Sequence, residues 1–280
     1  MKADLHLHTR LSNGSTGIDE LIFLAKNRKL STISVTDYDT FAGSIRAQIF
    51  GKRYGIEVIS GVEITAFDYQ RNKEAHLLCY SCKHPNRLEG LFKKISDIRK
   101  KCACIMMQKV VRIYPILPEM VLKKAQGSKN IFKVHIMHAL VDAGYTNDFF
   151  GDLYKKLFSP NFGLALCKSS EYPDVRDVLK QIKGAGGVSV LAHPGIYEDY
   201  DLIEELQQIE LDGVEVWHPK NKPNAEKKLE QIADEYDLLK VGGTDFRGMY
   251  TEEANPIGTC ITPQKQLEVM KVRFSEKNLV

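Results

Sequence analysis

The sequence has no long apolar run, no low-complexity tract and no strong excess of charge of one sign. No segment approaches the roughly 18 consecutive apolar residues that a membrane-spanning helix needs, and the first residues contain no apolar core of a secretory signal. Its 39 Lys and Arg nearly balance its 36 Asp and Glu, which leaves a formal net charge of only +3. We therefore expect no membrane partner, no strong binding of duplex nucleic acid through its phosphates, and a cytoplasmic location.

The composition is that of an ordinary globular protein. Of the 280 residues, 43% are hydrophobic and 27% are charged, which suffices for one large domain or for a domain with a sizeable insertion. Six cysteines are present, and without a secretory signal free thiols are the first expectation. A zinc site of four thiolates from Cys79, Cys82, Cys102 and Cys104 is an alternative, although a C-x-C pair lacks the usual spacing.

Short apolar runs alternate with helical patterns in the first and last thirds of the chain. The repeated order of strand, helix and strand is typical of a parallel sheet. Seven or eight such strands are enough to close a (β/α) barrel. The predicted strands are 3–9, 32–36, 56–65, 74–81, 188–192, 213–217, 238–242 and 257–261.

The segment 86–160 has a different character, because it carries helical patterns and almost no strand signal. An all-helical block inside an α/β chain predicts an insertion. We therefore expect a barrel made from residues 1–85 and 161–280, with residues 86–160 forming a helical cap domain between its two parts.

The strongest chemical signal lies in the first predicted strand. Alternate residues of a strand point to the same face, so His6 and His8 project together while Leu5 and Leu7 project to the other side. Two imidazoles side by side at a strand end can chelate a metal ion, and Asp4 on the same face can accept a ring N–H. Taken alone, the motif also fits two histidines that face solvent.

Further acidic and imidazole side chains occur where other predicted strands end. The carboxyl ends of parallel strands meet at one face of a barrel, where active sites lie. One such residue by itself fits a structural role, but several of them in one chain point to a shared site. They are Glu63, His76, His193 and Asp245, with His218 at the end of the strand 213–217 on the same rim.

The order and identity of these motifs resemble the polymerase and histidinol phosphatase (PHP) superfamily of metal-dependent phosphoesterases. Each motif is weak alone, but together they span nearly the whole chain in the order of that family. The resemblance implies a distorted (β/α)7 barrel, and the helical insertion resembles the branch that contains nucleoside-bisphosphate phosphatases. The matching segments are DLHLHT at 4–9, SVTDYDT at 34–40, SGVEIT at 60–65, EAHLL at 74–78, LAHPG at 191–195 and GGTDFRG at 242–248.

The resemblance also implies two divalent metal ions that share the carboxylate of Glu63. Imidazole and carboxylate ligands without thiolate favour Mn, Fe or Zn over Ca or Mg. Carried over to this chain, one site consists of His6, His8, Glu63 and Asp245, and the other of Glu63, His76 and His193.

A third metal site of the family is missing from this chain. Where the family has ligands, the sequence carries Asn13, Tyr38 and Arg247. Random decay would affect the other sites too, so we infer that one whole site has been lost and two have been kept. The planar, permanently charged guanidinium of Arg247 can hold a phosphate in place of the ion; alternatively, it pairs with Asp37 or Asp39 in a weakened site.

The remaining site residues surround this centre. The segment 133–136 resembles the Arg-Pro-His-Ile segment of the nucleotide branch, although His135 also fits a helix surface, and Arg99 could reach the site from the insertion. The residues expected to take part in the reaction are Asp37, Tyr38 and Arg247, and those expected to bind the substrate are Lys133, His135, His218 and Arg247.

The function implied by the resemblance is hydrolysis of a phosphomonoester by a metal-activated water. The expected substrate is a small nucleotide, such as a nucleoside 3',5'-bisphosphate, or the end of a short oligonucleotide. Two alternatives remain: a catalytically weak protein that binds metal or nucleotide, and a histidinol-phosphate phosphatase.

Overall fold

The computed structural model describes residues 2–160, 162–167, 171–198 and 200–277, whose strands form two sheets. The first sheet is parallel and has the order β1 (Ala3–Leu7), β2 (Thr32–Val35) and β3 (Glu57–Val58). The second has five strands in chain order: β4 (Gly61–Asp68), β5 (Lys73–Tyr80), β6 (Val188–Leu191), β7 (Gly213–Trp217) and β8 (Leu239–Gly242). Within it, β4–β5 and β5–β6 are antiparallel, and β6, β7 and β8 are parallel.

The strands are connected by helices. In the first sheet the connections are α1 (Ile18–Asn27) and α2 (Ala42–Tyr54). A short 3₁₀ helix (Pro85–Leu88) begins the long helical run between β5 and β6, which continues with α3 (Glu89–Ile113), α4 (Pro118–Lys124), α5 (Lys133–Asp142), α6 (Asp152–Phe158) and α7 (Val175–Gly184). The later helices are α8 (Pro194–Tyr197), α9 (Tyr200–Gln207), α10 (Ala225–Glu235) and α11 (Gln264–Lys277). None of the helices in the described ranges combines the length and apolar composition required to cross a bilayer.

The predicted mixed α/β architecture is confirmed, and seven of the predicted strands are present, with 56–65 divided into β3 and β4. The predicted strand 257–261 is wrong. In the described structure, residues 257–261 form no strand. The next residue, Thr262, makes one isolated antiparallel bridge with Ala3. Ile257 is buried in the core, so the apolar run reflects packing of a loop and not strand pairing.

A closed barrel of parallel strands is not confirmed, because the described strands pair in two separate sheets. One reason lies in the connection between β4 and β5, which consists only of residues 69–72. A parallel crossover needs about a dozen residues, so these strands can pair only as antiparallel neighbours. Isolated bridges, Tyr38 with Glu63 and Leu7 with Phe246, connect the first sheet to the second.

The segment between β5 and α7 contains helices, as predicted, and no strand within its described residues. The second half of α3 packs with α4, α5 and α6 around apolar side chains of their own, including Val110, Ile136, Leu140 and Leu157. That residues 86–160 form a separate cap domain stays a prediction.

The cysteines depart from the sequence-based expectation of free thiols. Cys102, in α3, forms a disulfide with Cys167, with their Cα atoms 5.4 Å apart. Cys79, Cys82 and Cys104 lie outside this disulfide. The four-thiolate zinc site is therefore wrong, because one of its ligands is held in the disulfide.

Strand alternation separates the core from the site within β4. Val62, Ile64 and Ala66 point into the main apolar cluster, whereas Glu63 and Thr65 point to the opposite face. Burial of the first face fixes the register of the strand, because a slip of one residue would move Glu63 into the apolar core. The hydrophobic core therefore determines where the carboxylate of Glu63 lies.

Replacing Ile64 by Ala tests this dependence. Ile64 is fully buried, so its truncation should lower the free energy of unfolding by about 2–5 kcal/mol through lost apolar contact and a residual cavity. The matched control is Ile49→Ala on α2, where the side chain is 56% exposed and the change should stay within about 0.5 kcal/mol. Chemical denaturation measures both, and equal effects of the two substitutions would contradict the assigned register.

Candidate active site

Glu63 is the centre of the site, and its two carboxylate oxygens face two different pairs of histidines. Oε2 lies 3.1 Å from Nε2 of His6 and 2.9 Å from Nε2 of His8. Oε1 lies 3.1 Å from Nδ1 of His76 and 3.3 Å from Nε2 of His193. Two groups of possible metal ligands therefore meet at one shared carboxylate.

Asp245 joins the first of these groups. Its Oδ1 lies 3.2 Å from Nε2 of His8 and 3.8 Å from Nε2 of His6. The structure thus brings together the six residues expected to bind metal, which come from positions that are far apart in the chain. They are His6, His8, Glu63, His76, His193 and Asp245.

The strands explain how these residues meet. His6 lies in β1 and His8 directly follows it, so alternation turns both imidazoles to the same side. His193 follows β6 and Asp245 follows β8, both with left-handed backbone, at φ 38° and 49°. Such conformations are costly for residues with a side chain, and they tend to persist at functional sites where the surrounding structure enforces them.

Charges at the site are strongly coupled. Burial alone would raise the pKa of Glu63, but the imidazoles of His6 and His76 outweigh it and hold that pKa well below its usual value. Burial would likewise lower the pKa of His6, yet the carboxylates of Glu215 and Glu63 raise it well above its usual value. The pocket therefore favours an ionised carboxylate surrounded by positive charge.

The donor set fits divalent cations. The atoms of each ligand group lie within 4.8 Å of one another, close enough to converge on one ion. Nε2 of His8 is buried and, among the described residues, has no partner in hydrogen-bond geometry, which a cation at this position would supply. Nitrogen and carboxylate oxygen without thiolate suit Mn, Fe or Zn.

Arg247, which the resemblance aligns with a ligand of the third family site, lies beside Asp245. Its guanidinium makes a two-pronged contact with Asp245, at 2.9 Å and 3.0 Å, and Nη2 donates to the hydroxyl of Tyr38 at 3.2 Å. The alternative that Arg247 pairs with Asp37 or Asp39 is wrong, since its carboxylate partner is Asp245. This pair holds the pKa of Asp245 well below its usual value although burial opposes the shift.

Asp37 lies beside the site and not among the possible ligands. Its carboxylate accepts the backbone N–H of Thr9 at 2.7 Å and the hydroxyls of Thr9 and Ser12 at 2.6 Å. Oγ of Ser12 in turn lies 3.3 Å from Nδ1 of His8. These contacts connect Asp37 to His8 through Ser12. A direct part of Asp37 in the reaction stays a prediction.

The expected substrate-binding residues have different environments. Lys133, the first residue of α5, is half-buried, and burial lowers its pKa. His135 is buried, and its Nδ1 accepts the backbone N–H of Phe132, which caps α5. Burial lowers the pKa of His135 to about 4, so its ring is neutral near pH 7. The surface position considered for His135 is therefore wrong.

His218 and Arg99 both reach the site. Nε2 of His218 lies 3.6 Å from Oδ2 of Asp245, and its Nδ1 accepts the backbone N–H of Lys220. Nε2 is thus the nitrogen left to donate into the site. Arg99 extends from α3, donates to Asp39 and Thr65, and lies over the ring of Tyr38 at 5.2 Å.

Two residues beside the histidines depart from the sequence-based interpretation. Asp4 does not accept a ring N–H, because its carboxylate binds the backbone N–H of Thr244 and of Gly258 and the Thr244 hydroxyl. Glu215, which the sequence interpretation missed, accepts Nδ1–H of His6 at 2.9 Å instead. The alternation of β7 could have revealed it, since Glu215 lies on the face opposite Val214 and Val216.

The sequence model described as "PHP domain" matches residues 4–237 of this chain. The chain belongs to the PHP family. The expected family is therefore confirmed.

Several relatives of this PHP protein match over nearly its whole length. A phosphoribosyl 1,2-cyclic phosphate 1,2-diphosphodiesterase from Eggerthella lenta is 30% identical over 89% of this chain and 95% of its own. A 3',5'-nucleoside bisphosphate phosphatase from Chromobacterium violaceum is 26% identical over 96% of this chain and 98% of its own. A solved structure from Bifidobacterium adolescentis, assigned as a metal-dependent phosphoesterase, superposes with a TM-score of 0.88 at 28% identity, over 97% and 96% of the two chains. The protein is thus a metal-dependent phosphoesterase of the PHP family, a hydrolase.

Replacing Glu63 by Gln should weaken metal binding by both ligand groups together. A neutral amide bridges two cations poorly, and this side chain is the one that both ligand groups share. Elemental analysis after loading with Mn²⁺ and dialysis measures the bound metal. The matched control is Glu119→Gln, a substitution at an exposed position of α4. A Glu63 variant that keeps a full complement of metal would refute the shared carboxylate.

Proposed function

We propose that this PHP protein hydrolyses a phosphomonoester of a small nucleotide, of the nucleoside 3',5'-bisphosphate class or a short oligonucleotide end, with two divalent cations. The observation that supports this proposal most directly is the position of Glu63. One of its oxygens faces His6 and His8, and the other faces His76 and His193. This arrangement supports two adjacent cations with a shared ligand.

Cations in such a site polarise a phosphoryl oxygen and lower the pKa of coordinated water. His6, His8 and Asp245 would hold one of them, and His76 and His193 the other, with Glu63 common to both. Arg247, anchored on Asp245, presents a charged N–H toward a phosphoryl oxygen in the region of the missing third site.

Tyr38 supports the phosphate from the same side. Burial, and next the charge of Glu63, raise the pKa of Tyr38 well above its usual value, so the phenol keeps its proton near pH 7. Its oxygen accepts from Arg247, which leaves the hydroxyl proton to donate to a phosphoryl or leaving-group oxygen. His218 has its Nε2 beside Asp245 and can donate in the same way.

A second phosphate of the substrate would be held by a cationic wall of Lys133 and Arg99, the latter also donating to Asp39. Arg99 is held over the rings of Tyr38 and Phe132, and Lys133 directly follows Phe132 in the chain. Within the described part of the chain, no carboxylate forms a salt bridge with Lys133, so its ammonium remains available for an anionic group. This wall favours a substrate with two phosphates over one with a single phosphate.

The C. violaceum relative, named for nucleoside bisphosphates, supports this substrate class. A five-membered cyclic phosphate of a phosphorylated ribose is a second candidate, because the relative from E. lenta is named for that substrate and is 30% identical. Both candidates are small ribose phosphates.

For the fold, we propose that the two sheets together form a distorted barrel, which residues 86–160 cap.

A phosphate-release assay with metal-loaded protein, combined with chromatography of the organic products so that hydrolysis of phosphodiester bonds is also detected, tests the proposal. The panel contains a nucleoside 3',5'-bisphosphate, a ribose cyclic phosphate, a 5'-phosphorylated short oligonucleotide and histidinol phosphate. We expect the bisphosphate to give the highest kcat/KM. Preferred turnover of histidinol phosphate would contradict the substrate class, and bound metal without turnover on any compound would favour the catalytically weak binding protein.

Replacing Arg247 by Ala should lower kcat/KM on the best substrate roughly 10- to 100-fold. A hydrogen bond to a charged group is worth about 1.5–3 kcal/mol, and the loss should appear chiefly in KM if Arg247 binds phosphate. Arg247→Lys should recover part of it, because it restores the charge without the planar fork. Arg273→Ala, at an exposed pair with Asp237, is the control. Unchanged steady-state kinetics in Arg247→Ala would remove this residue from substrate binding.

A further inference from the structure

Glu215 is a buried carboxylate that contacts both groups of possible metal ligands without belonging to either. It lies in β7 and is fully buried. Its Oε1 accepts Nδ1–H of His6 at 2.9 Å, and its Oε2 accepts the backbone N–H of His193 at 2.8 Å. A buried carboxylate is costly unless its oxygens are satisfied, and here both are used on ligands of the site.

We propose that Glu215 is a positioning residue that fixes the ligand atoms of both cation sites at once. The inference rests on the proposed two-cation function, and it adds a residue that couples the two sites. Glu215 reaches the first site through the ring of His6 and the second through the main chain of His193.

The contact with His6 determines which ring nitrogen can bind a cation. A carboxylate can only accept a hydrogen bond, so the contact keeps the proton on Nδ1. Nε2, which lies 3.1 Å from Glu63, is then the nitrogen that remains for the cation. A carboxylate behind a ligand histidine also orients the ring and makes its donor nitrogen more basic.

The contact with His193 holds an unfavourable backbone conformation. His193 has φ 38°, in the left-handed region that residues with a side chain rarely adopt. Its Nδ1 is buried and lacks a partner among the described residues, so the ring gets no orienting hydrogen bond on that side. The backbone contact with Glu215 therefore contributes to directing Nε2 of His193 toward Glu63.

Changing Glu215 to Gln separates this role from simple packing, because the amide has nearly the same shape. The Gln side chain has an accepting oxygen at one end and a donating NH₂ group at the other. The NH₂ group must therefore face either Nδ1–H of His6 or the N–H of His193, and two N–H groups do not hydrogen-bond to each other. Whichever way it turns, one of the two cation sites loses its support. A residue needed only for its volume would tolerate the change.

The test measures metal affinity of the purified, metal-free full-length chain by titration with Mn²⁺ and Co²⁺. Glu215→Gln should bind about 10- to 100-fold more weakly, the usual effect of losing such a partner. The visible absorption of bound Co²⁺ should change as well. The control is Asp68→Asn, a fully buried carboxylate that instead pairs with Arg71 and Arg176.

Glu215→Asp is the second variant. It keeps the buried charge, but it is too short to reach both partners, so it should also weaken metal binding. A role confined to supplying negative charge predicts full recovery with Asp. In the unchanged protein loaded with Zn²⁺, the buried Nδ1–H of His6 should give a downfield, slowly exchanging proton resonance, a readout that needs no variant.

The inference would be overturned if both Glu215 variants kept the metal affinity and the Co²⁺ spectrum of the unchanged protein. Absence of the His6 Nδ1–H resonance in the Zn²⁺-loaded protein would also overturn it. These readouts do not depend on the substrate. If the chain turns over no phosphoester while Glu215→Gln still weakens metal binding, the proposed substrate fails and the positioning role stands. If the chain is active and Glu215→Gln binds metal normally, the positioning role fails alone.

Discussion

The carboxylate of Glu63 is the constraint on which the rest of the site depends. It is fully buried and ionised, and a buried charge is tolerated only where opposite charge and hydrogen bonds compensate for lost water. The protein supplies this compensation by placing an imidazole pair at each oxygen. Because β4 also carries the apolar residues Val62 and Ile64, the same burial that stabilises the core fixes the position of this shared carboxylate.

The second theme is our proposal that protein side chains replace a third metal site of the family. Arg247 and Tyr38 are the residues that the resemblance aligns with ligands of that site, and Arg247 donates both to the Tyr38 hydroxyl and to the carboxylate of Asp245. A guanidinium offers one positive charge and directed N–H groups, whereas a divalent ion offers two charges and can activate water. In the proposed mechanism, Arg247 would bind phosphate in this region, and activation of the nucleophile would be left to the two cation sites around Glu63.

Much of this site is predictable from the sequence, and the failures have physical causes. The H-x-H alternation and the polar residues at strand ends pointed to one shared site, because period and strand position are local properties. The family resemblance then supplied the six expected ligands that the fold brings together. Glu215 was missed since its partners lie 209 and 22 residues away along the chain, and only the fold brings them together. Sheet closure, the disulfide and the unpaired run 257–261 likewise depend on contacts between distant segments, which an apolar pattern does not specify.

The most direct measurement of the central claim is anomalous diffraction from crystals of the protein loaded with Mn²⁺. We predict two anomalous peaks, one on each side of the Glu63 carboxylate, the first beside His6 and His8 and the second beside His76 and His193. The region of Asn13, Tyr38 and Arg247 should contain none. A single peak, or an additional ion bound in that region, would contradict the account.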